Sequence, residues 1–417
     1  MHTSGTSTRH AAAATARPAP DPRPRTRRPR WAPVSVAASA AAGLALAASG
    51  CASSPGPAVS AAGAGQTVTV TIQLTPQGCA PKPARVPAGA VDFVVANKDA
   101  DAVSEAELRT ADLSKILGEQ ENLTPGLSGG FSLTIQPGSY TINCPGAARQ
   151  HWDFTVQGKA TGPSWTSNPQ LAAAVRSYAS YVDRSTADLI SHTRAFCQAI
   201  DAGDLGQAEI LYPRARIYYE RIEPVAEIWG SLDTAIDGRW ENPVTVASQF
   251  TGFHKIEQLL WEDNTLAGAR GLCAGLLKNE QQLLTLVRSA QYNPLEMASG
   301  ATDLMNEAAT SKISGEEERY SNTDFPVFQG NLEGATEVVA LLQPYLQHKD
   351  PSLLAQIGNR SAAITALLAR YRASPGYDDT GYVEYSTVLD AQRRQLSAAV
   401  NALAEWLSKL SVQVSSG

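Results

Sequence analysis

Two hydrophobic periods divide this chain. From about residue 66 to 158 the apolar positions come in short runs: Thr67-Val68-Thr69-Val70-Thr71-Ile72 alternates, Val91-Asp92-Phe93-Val94-Val95 suits burial, and Phe131-Ser132-Leu133-Thr134-Ile135 alternates again. A period of two sends successive side chains to opposite faces of a strand. Turn signals at Pro87-Ala88-Gly89 and Pro137-Gly138 separate the runs. Short strands at this spacing predict a small sandwich or Greek-key barrel. After Gly162-Pro163-Ser164 the pattern changes to the helical period, with apolar stripes over 169–202, 204–229, 244–262, 267–290, 294–310, 324–347, 351–372 and 384–411. About 250 residues of nearly pure helix predict a bundle, two packed sets of helices on whose facing surfaces ligands can converge.

The N-terminus has a different character. Arg23, Arg25, Arg27, Arg28 and Arg30 form a basic region, Val34 to Ala48 is a short apolar run, and small residues lead into Cys51. This is the layout of an export signal. Ala48-Ser49-Gly50-Cys51 resembles a bacterial lipoprotein cleavage box, with Ala at its first position where Leu is more usual. The expectation is a signal over 1–50, an acylated Cys51, a tether over 51–65, a β domain over 66–158 and a helical domain over 165–411. The apolar run is shorter than the roughly 20 residues a membrane-spanning helix needs. Removing residues 1–50 takes away seven Arg and one Asp, so the formal charge moves from −6 to −12. An acidic exported protein suits cations and is a poor candidate for nucleic acid.

With Cys51 assigned to lipid, four cysteines remain, Cys79 and Cys144 in the first half and Cys197 and Cys273 in the second. One pair per half suits disulfides in an oxidising compartment, Cys79 with Cys144 and Cys197 with Cys273, and free buried thiols are the alternative. No pair has C-x-x-C spacing, so a zinc ribbon, a thioredoxin-like site and covalent haem attachment are unsupported.

The chemistry concentrates in the helical half. Gly252-Phe253-His254-Lys255-Ile256-Glu257 places an imidazole and a carboxylate three residues apart, on one helical face, where both reach a single metal ion. Phe253, Ile256, Leu259, Leu260 and Trp261 surround the pair, and a carboxylate buried by them needs a cation or hydrogen bonds. Upstream, Glu220, Glu223 and Glu227 repeat at helical spacing. Two facing helices of this kind would build an oxygen-rich site with one nitrogen ligand. A solvated face with His254 paired to Glu257 is the simpler alternative.

These features in this order resemble the EfeM/EfeO family of bacterial iron-uptake proteins. The resemblance spans roughly 66–411. It rests on Glu105-Ala106-Glu107-Leu108, Glu119-Gln120-Glu121-Asn122-Leu123-Thr124-Pro125-Gly126-Leu127 and Pro137-Gly138-Ser139-Tyr140 in the β half. In the helical half it rests on Tyr219-Glu220-Arg221-Ile222-Glu223-Pro224, Leu232-Asp233-Thr234-Ala235-Ile236-Asp237, the Gly252 to Glu257 motif, and Ser311-Lys312-Ile313-Ser314-Gly315-Glu316-Glu317. The resemblance implies a small cupredoxin-like β-sandwich followed by an imelysin-like helical bundle. It implies an H-x-x-E metal motif at His254 and Glu257, with Glu220, Glu223 and Asp237 opposite. Carboxylates with one imidazole suit ferric iron and also zinc or calcium, and preference for iron, ferric or ferrous, comes from the family. Glu105, Glu107, Glu119 and Glu121 are implied as a second cation site, with plain loop charge as the alternative. The segment has one histidine, His151, two cysteines expected to be bridged and no Met, which argues against an electron-transfer copper centre. Zinc and copper remain the alternative metals.

The function so implied is an extracytoplasmic iron-binding lipoprotein, not an enzyme, held at the outer face of the cytoplasmic membrane. It would capture iron and deliver it to a membrane permease, with a ferrous-iron permease and a haem-dependent peroxidase as partners. The alternative is an imelysin-like metallopeptidase. An H-E-x-x-H zinc peptidase needs two histidines on one helix, whereas here His192 falls on a different segment and is expected to face solvent.

Overall fold

The computed structural model describes residues 67–121, 123–159, 165–240, 246–373 and 381–415. The expected signal, Cys51 and all of the tether over 51–65 lie outside the described residues.

The β half is two sheets. Strands β1 (Val68–Leu74), β3 (Gly89–Asn97) and β6 (Ser128–Ile135) form one in the order β1-β3-β6. The other runs β2-β8-β7-β4-β5, from β2 (Arg85–Pro87), β4 (Ala106–Thr110), β5 (Ile116–Gln120), β7 (Gly138–Asn143) and β8 (His151–Gln157). Their facing apolar residues share one core, in which Phe93 of the first sheet stacks on Phe131 at 4.7 Å and meets Phe154 of the second edge-on at 5.5 Å. A Cys79–Cys144 disulfide ties the loop after β1 to the end of β7. Both cysteines sit just beyond strands. Charged residues at Glu107 and Glu119 interrupt the apolar pattern of β4 and β5, which is why these strands are obscure in sequence. Asn97 organises the loop that carries Glu105: its buried amide donates to the carbonyls of Ala100, Val103 and Leu123.

The helical half starts with α1 (Pro169–Ala202). Asn168 caps it by accepting the Gln170 and Leu171 N–H groups, and Gly203 at φ 77° ends it. There follow α2 (Leu205–Glu220), α3 (Glu223–Ala226), α4 (Gly230–Asp237), α5 (Gly252–Glu257), α6 (Ala269–Ser289), α7 (Pro294–Thr310), α8 (Asp324–Lys349), α9 (Pro351–Leu368), α10 (Asp390–Leu407) and α11 (Leu410–Ser415). Helix α8 is central and packs on α1, α2, α7 and α9. A Cys197–Cys273 disulfide joins α1 to α6.

Two predicted helices are corrected. The stripe over 204–229 is not one helix: α2 stops at Glu220 and a short α3 restarts at Glu223. Pro224 explains the break, since its ring would clash with the carbonyl four residues back, that of Glu220. That carbonyl instead accepts a hydrogen bond from the Asn331 amide at 3.3 Å. In the stripe over 244–262 the described residues, from 246 on, become helical at Gly252, and the helix then widens into a π turn over Gln258–Glu262.

Between α1 and α6 lies Glu280, fully buried, with Oε1 accepting from Thr193 at 2.7 Å and Oε2 without a hydrogen-bond partner. Burial pushes its carboxyl up to about 8. The folded chain therefore holds a proton there that the unfolded chain releases near pH 4.5, so this group's contribution to stability falls as pH rises from about 4.5 to about 8. Glu280→Gln should raise stability at pH 7 by on the order of 3 kcal/mol and should have little effect near pH 4. Thermal unfolding of both proteins across that pH range checks this.

Candidate metal centre

Three elements converge where α2 breaks. Glu220 ends α2, Glu223 opens α3, and Asp237 ends α4. Helix α5 then comes in close, because Gly252, at φ 73°, lies where any Cβ would stand 2.0 Å from the Ile236 carbonyl. Glycine at this point lets His254 and Glu257 pack directly against the end of α4. Gly330 of α8 does the same on the far side, since a Cβ there would meet the Glu220 Cβ at 2.6 Å.

His254 and Glu257 are buried and bonded to each other, with the ring Nδ1 3.0 Å from Glu257 Oε2. Glu257 Oε1 accepts the backbone N–H groups of Tyr320 and Ser321 at 3.0 and 2.8 Å. The ring Nε2 faces Asp237 Oδ1 at 3.5 Å, Glu317 Oε1 at 3.9 Å and the Arg216 guanidinium at 3.5 Å. This arrangement fits an Nδ1–H donated to Glu257 and an Nε2 lone pair turned into the cluster. Burial, with the Arg216 charge, holds the imidazole well below its usual range, so the ring is neutral and able to ligate.

Ligand oxygens of Glu220, Glu223, Asp237 and Glu317 all lie within 4.8 Å of one another. His254 joins Asp237 and Glu317 in a second such group, and Glu257 and Glu318 in a third. The resident cations are side chains. Arg216, fully buried, reaches Glu220 at 2.6 Å and Glu317 and Glu318 at 2.8 Å, and also pairs with Asp237. Lys312 Nζ lies 3.0 Å from Glu220 Oε2 and 2.5 Å from Glu223 Oε1. Arg239 pairs with Glu317. Five carboxylates, Glu220, Glu223, Asp237, Glu317 and Glu318, thus face three cationic side chains, with Glu257 beside them behind His254. Burial pushes Glu223, Asp237, Glu257 and Glu318 up from the usual carboxylate range. Glu317 resists burial and lies below that range, because Arg239, Lys312 and Arg216 surround it. A site with surplus buried carboxylates must take up protons or a further cation.

In the β half, Glu105, Glu107 and Glu119 come within ligand distance of one another. Glu107 and Glu119 are directly opposite across β4 and β5, a like-charge pairing that opposes the sheet unless it is neutralised. Arg109 and the Asn143 amide hold Glu107 below its usual range despite burial, while burial and neighbouring carboxylates push Glu105 and Glu119 well up. Glu121 stands apart from this triplet and lines a cavity of about 400 Å3 between β5, β6 and the helices α3 and α7. Glu119, Glu227 and Glu307 line it too. Burial, with the charges of Glu307 and Asp233, pushes Glu121 up to about 8. The sulfurs of Cys79 and Cys144 are spent in their bridge, so the β half has no thiol pair for a copper–thiolate centre.

Sequence reading missed Arg216, Glu318 and Lys312, and passed over Glu317 as a ligand. Arg216 carried the available signal, since it sits four residues before Glu220 and so on the same face. His192 stays remote: it bonds the Asp188 carbonyl and stacks on Tyr218 at 4.4 Å.

A helical domain built around a buried acid and histidine cluster, preceded by a β domain, is an imelysin-type architecture, and the imelysin family model (Peptidase M75) matches residues 174–410. The iron uptake system component EfeO of Escherichia coli strain K12 is 35% identical over 343 residues, which cover 81% of this chain and 89% of that protein. The EfeO components of Shigella flexneri and of Escherichia coli O6:K15:H31 strain 536 match to the same extent. The chain belongs to the EfeM/EfeO family of iron-uptake components.

Arg216 is the test of the electrostatic account. Arg216→Met removes the cation shared by Glu220, Asp237, Glu317 and Glu318 and should destabilise the metal-free protein by about 3–5 kcal/mol. Urea unfolding of the two proteins measures it.

Proposed function

We propose that this protein is an exported iron-binding lipoprotein whose helical domain holds iron as cargo for a membrane permease. The convergence of Glu220, Glu223, Asp237 and Glu317 beside the His254 Nε2 is the observation that carries this reading. Hard carboxylate oxygens with one neutral imidazole suit ferric or ferrous iron, and zinc would compete. Glu257, hydrogen-bonded to the Nδ1 side of the ring, orients His254, a role typical of carboxylates behind metal-bound histidines. The triplet Glu105, Glu107 and Glu119 is the second cation site, with Glu121 nearer the cavity, and copper or zinc are its alternative occupants. A ferrous-iron permease and a haem-dependent peroxidase are the partners the family suggests, and residues 66–158 are taken as cupredoxin-like.

The peptidase reading is weaker on chemical grounds. A metallopeptidase needs a carboxylate free to act as general base, and both oxygens of Glu257 already accept hydrogen bonds, one from His254 and one from two backbone amides. Among the described residues no helix is long and apolar enough to cross a membrane; in this reading the acylated Cys51 is what holds the protein at the membrane.

Anaerobic calorimetric titration with ferrous iron tests the site. Asp237→Asn and Glu220→Gln should each weaken binding about tenfold or more, His254→Ala comparably, and Glu257→Gln less, as expected for a ligand-orienting group. Wild-type affinity in Asp237→Asn, Glu220→Gln and His254→Ala together would remove the helical domain as the capture site, and hydrolysis of casein by the metal-loaded protein would restore the peptidase. Anchoring is tested separately: Cys51→Ala should release the protein from the membrane fraction, and unchanged retention at unchanged mass would contradict lipidation.

A further inference from the structure

Lys312 stands at the junction of two carboxylate groups. It opens the 3-10 turn Lys312–Ser314 after α7, and its side chain is fully buried. Nζ bonds both oxygens of Glu223, at 2.5 and 2.6 Å, and Glu220 Oε2 at 3.0 Å. It also lies 3.8 Å from Glu317 Oε1. On its other side Glu307 Oε2 is 3.7 Å away, and Glu307 forms with Glu223 and Glu227 a separate group of oxygens within 4.8 Å of one another. Glu227 and Glu307 both line the cavity beneath β5 and β6. One ammonium is therefore flanked by two sets of acids that share Glu223.

A metal ion on Glu220, Glu223, Asp237 and Glu317 needs oxygens that Lys312 now occupies. Two cations cannot share them, because buried like charges at contact distance repel strongly. Nor can the ammonium be left buried and unpaired. Glu227 and Glu307 remove that difficulty, since a turn of the lysine side chain toward Glu307 keeps it paired. An independent feature points the same way. The Asn331 amide donates to Glu220 Oε2 and Glu223 Oε2 at 3.0 Å each, while its fully buried Oδ1 accepts no hydrogen bond. That is an acceptor without a partner beside the oxygens the metal would use.

We propose that Lys312 is a tethered counter-ion: the incoming metal cation displaces its ammonium from Glu220 and Glu223 toward Glu227 and Glu307, and this exchange sets how tightly the site holds metal. The lysine keeps the empty site neutral enough to stay folded, and its return favours release. The proposal rests on the assignment of Glu220, Glu223, Asp237 and Glu317 as the cargo site, and its test separates the two.

Anaerobic ferrous iron is titrated into the full exported chain as wild type, Lys312→Met and Glu223→Gln. Lys312→Met, similar in length but uncharged, should bind about tenfold or more tightly than wild type, the order expected when a competing unit charge leaves a partly screened buried site. Glu223→Gln should bind more weakly. If Lys312→Met binds with wild-type or lower affinity while Glu223→Gln is weakened, Lys312 is a fixed structural partner and the proposal is overturned, although the cargo site stands. If Glu223→Gln keeps wild-type affinity, the cargo site itself falls, and the proposal with it. Should Lys312→Met fail to fold, hydrogen exchange on the wild type decides: loading should speed exchange over 310–316 and slow it over 217–223, and slowing in both segments overturns the displacement.

Discussion

Arg216 sits fully buried among Glu220, Asp237, Glu317 and Glu318, and the helical half is arranged around that contact. The four acids come from three stretches: the end of α2, the end of α4, and the segment before α8, which supplies both Glu317 and Glu318. Burying so many carboxylates in a helical core carries a large desolvation cost, and the Coulombic return from Arg216, Arg239 and Lys312 offsets only part of it. Apolar residues of similar volume would hold these helices together as well or better. Stability alone is therefore a poor explanation for the cluster.

The local devices around the cluster serve access and approach. Pro224 ends α2 one turn early, which turns Glu223 toward the same point as Glu220 instead of letting both continue along one straight face. Gly252 and Gly330 remove the side chains that would hold α5 and α8 away. Glu257 is tied by the Tyr320 and Ser321 amides, so the histidine it holds is fixed from behind. The site is built from short helices and their ends, where backbone groups are available to anchor side chains.

Acidic groups extend from this core to the β half without a wide gap. Glu223, Glu227 and Glu307 lead to the cavity, and Glu119 and Glu121 face it from the sheet, with Glu119 shared by the β-domain triplet. Burial, and after it repulsion from neighbouring carboxylates, raises the proton affinity of Glu121 and Glu227, each of which counts acids of the opposite half among its perturbing charges. The two halves are thus linked electrostatically across the cavity of about 400 Å3.

Much of this was determined by sequence alone. A change of hydrophobic period marked the passage from strands to helices, because side-chain burial follows the repeat of the backbone whatever the final topology. The four cysteines beyond Cys51 fell into one pair per half, and they bridge that way. His254 and Glu257 were visible because ligand spacing along one helix is local, Glu220 and Glu223 showed helical spacing of their own, and Asp237 came through family resemblance. What only the tertiary structure decided is which groups meet. Glu317 and Glu318 lie some sixty residues from the His254 motif, and Lys312 nearly ninety from Glu223, so no periodicity could bring them together. The interruption of the 204–229 stripe was legible in Pro224, yet its consequence, two acids turned onto one ammonium, depends on how α8 and the 312–318 segment pack. Ion pairing in a core is a property of three-dimensional convergence, and a linear pattern records only which charges are available for it.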